Sequence, residues 1–160
     1  MNLIVAIDKN NAIGKDDELL FRISKDLKNF KEVTTGKVVI LGKKTLETFP
    51  NKKPLKNRIN LVLTHSEEPI EGAIIENSID EVLNDIKYLK DEDVFVIGGE
   101  SIYKQFLPYC KTLYITEIKE EIKDTNKFFP EFKKDFYEVS RIENEENGIK
   151  FDFVIYKRRA

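Results

Sequence analysis

Short, almost uniformly apolar runs alternate with stretches of helical spacing through the first two thirds of the chain, and that alternation carries most of the structural information. Asn2 to Ile7 reads as a strand buried on both faces. After a loop with Asn10, Asn11 and Gly14, the apolar residues Leu27, Phe30 and Val33 recur at i, i+3 and i+6. Ser24 to Val33 is therefore expected to be an amphipathic helix with Ser24 as its N-cap. Lys37 to Leu41 is a second buried strand, closed by Gly42, and a short helix over Lys43 to Phe49 ends before Pro50. Arg58 to Thr64 and Ala73 to Glu76 read as strands. Ser78 and Glu81 form a capping box ahead of Ile79, Val82, Leu83, Ile86 and Leu89, which repeat at helical spacing. Asp93 to Ile97 is again a buried strand, turned by Gly98 and Gly99 into a helix over Ser101 to Leu107 that Pro108 stops. Thr112 to Ile118 follows as a strand.

The last third changes character. Phe136 to Ile142 and Ile149 to Tyr156 alternate apolar and polar residues around Asn147-Gly148, a strong hairpin signal. Strands and about four helices in alternation, then a hairpin, imply a single α/β domain over residues 1–160 with a mostly parallel sheet and an antiparallel edge.

At 160 residues the chain has room for one ordinary core. With 41% hydrophobic and 35% charged residues it lies outside the disordered range. A formal charge of −2 offers no attraction for a polyanion, so nucleic acid is not an expected partner. No apolar run approaches the roughly 18 residues that span a bilayer, so no membrane role is expected. One cysteine, Cys110, and a start without a basic stretch and long apolar run make the cytoplasm the expected location.

Parallel sheets bind ligands at the carboxyl ends of their strands, where helix N-termini present N–H groups to phosphates. Gly42-Lys43-Lys44-Thr45 and Gly98-Gly99-Glu100-Ser101 are two such places, and together they suit a pyrophosphate. Each alone is more simply explained as a turn after a strand, and neither usual nucleotide fingerprint is present. Asp26 falls in the first turn of the Ser24 helix beside Leu27 and Phe30, where an apolar setting would raise its pKa and keep a proton available. An acidic residue there also serves the helix dipole, which is the plainer alternative. Lys52 to Arg58 holds four cations in seven residues and reads as a solvated loop, except that Arg58 opens a strand and can bind a carboxylate with its fork. The lone His65 has no second ligand at metal spacing, and no metal is expected. Cys110 has no nearby histidine to make it a nucleophile.

In this order the motifs resemble the dihydrofolate reductase family over almost the whole chain. They are Ile4-Val5-Ala6, Ala12-Ile13-Gly14-Lys15, Asp26-Leu27 with Phe30-Lys31, and Val39 to Thr45. Pro54 to Asn60, Val96 to Tyr103, Leu113 to Thr116 and Asp124-Thr125 ahead of Phe129-Pro130 follow. The resemblance implies NADPH-dependent reduction of 7,8-dihydrofolate to tetrahydrofolate on an eight-stranded, mostly parallel sheet. It also implies antifolate inhibitors as ligands and a monomer.

Carried over by position, Asp26 would promote protonation of pterin N5, with Thr116 as its partner. Ile4, Val5, Ala6, Leu27, Phe30, Phe49 and Ile97 match the substrate pocket, Arg58 the clamp on the glutamate α-carboxylate, and Lys31 and Lys53 positions near the tail. Ala6, Ile13 and Gly14 match the nicotinamide side, with Thr125 nearby. Gly42, Lys43, Lys44 and Thr45, and Gly98, Gly99, Glu100, Ser101, Ile102 and Tyr103, would flank the pyrophosphate. Leu63, Thr64, His65 and Lys43 lie where the adenosine 2′-phosphate is read. A cis bond between Gly98 and Gly99 is implied, as is a lid over Lys9 to Arg22.

The chain departs from the family in three places. Phe21, after Leu20, stands where Pro-Trp is common and keeps the catalytic-pocket shape without the indole N–H. Ser24 replaces a common proline. Lys43 replaces a common arginine, so the expectation is a weaker preference for NADPH over NADH. The competing readings are a riboflavin-biosynthesis-type reductase of the same fold and a catalytically silent nucleotide-binding module.

Overall fold

A computed structural model of the chain describes residues 1–15, 18–19, 23–122 and 124–160. Its elements run β1 (Asn2–Ile7), β2 (Ala12–Lys15), β3 (Glu18–Leu19), α1 (Ser24–Thr34), β4 (Val38–Gly42), α2 (Lys43–Leu46), β5 (Ile59–Leu63) and β6 (Ala73–Glu76). They continue with α3 (Ile79–Ile86), β7 (Val94–Gly98), α4 (Glu100–Phe106), β8 (Thr112–Ile118), β9 (Lys127–Phe128), β10 (Phe136–Glu146) and β11 (Ile149–Arg158). The main sheet has eight strands in the order β10, β11, β8, β1, β7, β4, β5, β6. Only the pairings of β11 with β8 and with β10 are antiparallel.

β1 is central because it is apolar at nearly every position, with parallel neighbours β7 and β8 on its two sides. Its side chains alternate between two cores, as a period of two requires. Leu3, Val5 and Ile7 join Ile40, Val96, Phe106 and Phe132 on one face. Ile4 joins Val39, Leu41, Val62, Phe95 and Ile97 on the other. Burying an aliphatic side chain of this size stabilises by about 1.5–3 kcal/mol, so both faces of β1 anchor the domain.

Register aligns the carboxyl ends of the strands. Ala6 lies beside Thr116, Leu41 beside Gly98, Gly42 beside Leu63, and Leu63 beside Glu76. Residues far apart in sequence thus share one rim of the sheet.

The expected elements form, with differences that have physical reasons. Ser24 is the first helical residue of α1, not its N-cap: Ile23 precedes it in extended conformation, and no side chain of the cap residue closes the helix. α2 ends at Leu46 rather than Phe49, as the 46–49 stretch tightens into turns in which Thr48 and Phe49 donate to the Thr45 and Leu46 carbonyls. The segment Lys9 to Arg22, read as a polar loop, holds two strands, since β2 pairs with β3 and β9 in a separate three-stranded sheet, and its residues 16, 17 and 20–22 lie outside the described ones. β10 does not bury an alternating face beyond Phe136, because it is the edge strand and only β11 covers it. α3 behaves as its capping box predicts: Ser78 Oγ accepts from Glu81 N at 3.1 Å. The Glu81 carboxylate reaches back to Asn77 N, at 2.7 Å.

Candidate functional site

Asp26 projects from the first turn of α1 and meets β8 across the rim. Thr116 Oγ1, almost fully buried, donates to Asp26 Oδ1 at 2.6 Å. Burial pushes the Asp26 carboxyl above its ordinary pKa, and the Thr116 hydroxyl partly opposes this by stabilising the anion. The Tyr103 hydroxyl of α4 lies 2.8 Å from the Ile4 carbonyl and 2.9 Å from the Ile97 carbonyl, so its single proton serves two acceptors. Desolvation, with the nearby Asp26 charge, raises the Tyr103 pKa and keeps the phenol neutral.

The apolar lining is largely as expected. Ile4 and Ile97 are buried in one cluster, with Phe30 and Phe49 packed partly buried against it. Ala6 packs against the cluster of Ile23, Ile118 and Phe151. Val5 is not brought to that lining: one residue along β1 from Ile4, its side chain faces the opposite core. Leu27 keeps 44% of its surface exposed, so a large part of its apolar side chain faces outward. Lys31 and Lys53 are exposed.

Arg58 is half-buried and braced, with Nε donating to the Lys56 carbonyl at 2.8 Å and Nη1 to Thr34 Oγ1 at 3.1 Å. Thr34 is itself fully buried and bonded to the Phe30 carbonyl at 2.7 Å, so the last turn of α1 aims the guanidinium. Its Nη2 donors have no partner among the described residues and remain available to a carboxylate.

On the other side of the rim, Gly42 and Gly99 precede α2 and α4, and neither helix start has a side-chain cap. The Gly98-Gly99 peptide is cis. Gly98 has φ +118°, and a Cβ there would lie 3.1 Å from the Tyr103 ring. A Cβ on Gly42 would stand 3.1 Å from Ile102 Cγ1. At Gly98 the positive φ itself favours glycine, whereas at Gly42 a side chain would be tight only against Ile102. Lys43 and Thr45 are half-buried, and Lys44 and Ser101 are exposed. Glu100 accepts from Phe128 N at 2.7 Å, tying α4 to β9. Leu63 closes β5, Thr64 is half-buried with its hydroxyl accepting from Ser66 N at 3.1 Å, and His65 is exposed. Ile13 packs against the larger core, and Thr125 Oγ1 donates to the Gly14 carbonyl at 2.6 Å.

Phe21 lies outside the described residues. Cys110 is buried with its thiol pushed up to about 12, which removes it as a nucleophile. Among the described residues no three His, Cys, Asp or Glu side chains are placed to hold a metal ion, and no helix is long and apolar enough to cross a membrane.

Sequence reasoning overlooked Asp8. Its buried carboxylate accepts from Asn10 N at 2.8 Å, Ala12 N at 2.9 Å and Ile122 N at 2.9 Å. This fixes the entry to β2, and hence Ile13 and Gly14, against the segment after β8. Asp followed two residues later by Asn is an Asx-turn signal that was there to be read.

A family model described as dihydrofolate reductase matches residues 1–158. The dihydrofolate reductase of Haemophilus influenzae is 36% identical over 163 residues, covering 99% of this chain and 98% of that protein. That of Staphylococcus haemolyticus is 37% identical, with 99% and 95% covered. The solved structure of dihydrofolate reductase from Enterococcus faecalis, complexed with NADP(H) and RAB-propyl, superposes with a TM-score of 0.89 at 31% identity. It covers 99% of this chain and 96% of that one.

Proposed function

The chain belongs to the dihydrofolate reductase family, and from that premise we propose that residues 1–160 act as one domain that reduces 7,8-dihydrofolate to tetrahydrofolate with NADPH. The observation that carries this reading is the Asp26–Thr116 pair, a desolvated carboxyl held at 2.6 Å by a buried hydroxyl beside an apolar lining.

The donor set fits NADPH. The uncapped starts of α2 and α4, the cations Lys43 and Lys44 and the hydroxyls of Thr45 and Ser101 suit a pyrophosphate. The remaining candidates there, Gly42, Gly98, Gly99, Glu100, Ile102 and Tyr103, shape the approach. Leu63, Thr64 and His65, with Lys43, would read the 2′-phosphate. Ala6, Ile13, Gly14 and Thr125 would border the nicotinamide. NADPH, when bound, supplies the hydride for pterin C6.

The chain's own residues do the rest. Asp26 bonds the pterin and, because burial favours its protonated form, raises the supply of protons at N5 near neutral pH. Thr116 fixes one carboxyl oxygen so that the other faces substrate. Ile4, Ala6, Leu27, Phe30, Phe49 and Ile97 exclude water from the rings, with Val5 contributing through its backbone. Phe21 is assigned to the same pocket by its sequence position alone. Arg58 clamps the α-carboxylate of the glutamate tail, and Lys31 and Lys53 lend positive charge nearby. In this reading the protein is a cytoplasmic monomer that binds antifolates in the same pocket and takes no nucleic-acid partner, a point its formal charge of −2 supports.

The test is loss of NADPH absorbance when dihydrofolate is added to purified protein, repeated with NADH and with an antifolate. Antifolate-sensitive oxidation is expected, with a modest preference for NADPH because Lys43 acts as a point charge. NADPH binding without oxidation would overturn the reading.

A further inference from the structure

α1 begins without a cap of its own, because Ile23 offers no side-chain acceptor. Asp26 N and Leu27 N both donate to the Ile23 carbonyl at 3.0 Å, but Ser24 N and Lys25 N need acceptors from elsewhere. One distant residue takes both. Glu146 Oε2 accepts from Ser24 N at 2.7 Å, and Glu146 Oε1 accepts from Lys25 N at 3.0 Å. The Lys25 ammonium adds a bond to the Glu145 carbonyl at 3.1 Å.

We propose that Glu146 is a positioning residue for the reaction: through it the β10–β11 turn caps α1 and holds the Asp26 carboxyl against Thr116. The inference rests on the role given to Asp26 above.

The geometry makes the hairpin a common frame for both ends of that contact. Glu146 lies opposite Ile149 at the turn, Phe151 pairs with Ile118, and Phe153 pairs with Thr116. The group that caps α1 and the hydroxyl that meets Asp26 are therefore fixed by one hydrogen-bonded ladder. A carboxylate bonded to two backbone N–H groups is a charge-assisted cap, stronger than a neutral one. It also offsets the partial positive charge of the helix start, which by itself would favour ionised Asp26. The groups that face Asp26 are Thr116 from β8 and the neutral Tyr103 phenol from α4, while Lys25 and Glu146 are the charged groups at the helix start next to it. Serine matters at position 24, since a proline there would have no N–H to give.

The test compares wild type, Glu146→Ala, Glu146→Gln and Ser24→Pro as full chains. The Asp26 carboxyl carbon is followed by NMR through a pH titration of the free protein, and kcat and KM for dihydrofolate are measured across pH. In Glu146→Ala the loss of the negative cap should lower the titration midpoint by about 0.3–0.7 unit, more than a loosened Thr116 bond raises it, with kcat/KM at pH 7 down about two- to fivefold. The NADPH dissociation constant should not move, and the midpoint difference should shrink in about 1 M salt. Glu146→Gln keeps an acceptor without charge and should titrate like Glu146→Ala. Proline is well tolerated at a first helical position, so Ser24→Pro stays folded; it keeps the Glu146 charge and its bond from Lys25 N, and should leave the midpoint close to that of wild type. A folded Glu146→Ala variant with the wild-type midpoint and pH profile would overturn the proposal. A wild type that leaves dihydrofolate unreduced while the midpoint shift is present would sink the functional reading and leave the capping role standing.

Discussion

Asp26 and Glu76 are both carboxyl groups taken out of water, and the structure treats them differently. Asp26 sits at the carboxyl end of the sheet with a hydroxyl donor from Thr116. Glu76 is 3% exposed at the end of β6, where its Oε1 has no donor among the described residues. The groups that face it from α3 are Asp85 and Glu81. Burial and these like charges push Glu76 up to about 7. Burial thus raises both groups, but Asp26 retains a neutral partner and a half-buried face, whereas Glu76 is enclosed by other acids. A perturbed carboxyl becomes a candidate proton donor to a ligand only where the ligand can reach it.

The sharpest way to break that contrast is Asp26→Asn. Turnover at pH 7 should fall by about 100-fold or more, recovering partly at low pH, while NADPH affinity stays unchanged. Stopped-flow oxidation of NADPH across pH measures this, and near-wild-type turnover at pH 7 would remove Asp26 from proton supply. Removing the carboxyl should also stabilise the fold above neutral pH, since a raised pKa means that ionisation weakens the native state.

Arg58→Leu separates binding from proton chemistry in the same region. Losing a charged clamp should raise KM for dihydrofolate by about 10- to 100-fold and leave the pH profile in place. An unchanged KM would take Arg58 out of the site.

Glu76→Gln tests the other carboxyl, and its effect belongs to stability alone. The folded group titrates at about 7, against an ordinary value of 4.5. Its contribution is therefore complete below about pH 4.5 and is lost as pH rises through 7. Glutamine should flatten that slope and add about 1–3 kcal/mol at pH 8, read from urea midpoints. A slope the same as wild type would show that Glu76 is not held protonated.

The smallest effect should come from Thr116→Val. The hydroxyl lowers the Asp26 pKa, so its loss should move the Asp26 midpoint further upward and cost about 1 kcal/mol of stability. A downward shift would contradict the donor role of Thr116.

Much of this was legible in the chain because it depended on local pattern. Ser78 with Glu81 announced α3, Asn147-Gly148 the hairpin, and Leu27 with Phe30 and Val33 the helix that carries Asp26. Asp26 itself could be singled out as a carboxylate on an apolar face. The direction of the Val5 side chain was not legible, because the likeness of a motif does not say which way a strand residue points, and β1 sends alternate side chains to opposite cores. Ser24 was read as a cap from its type, yet the group that closes α1 is Glu146, 122 positions away.

The sequence by itself determined the alternation of strands and helices, the glycines at Gly42 and Gly98, and the family. These follow from periodicity, turn chemistry and ordered motifs, each written within a few neighbouring residues. Only the tertiary structure decided which groups meet. Thr116 reaches Asp26 across 90 positions, Thr34 aims Arg58, and Asp8 gathers Ile122 N to the start of β2. Glu76 finds itself among acids because β6 and α3 close on each other. Hydrogen bonds and desolvation act over a few ångströms in space, so a pKa or a cap contributed by a remote element leaves no trace in local sequence spacing.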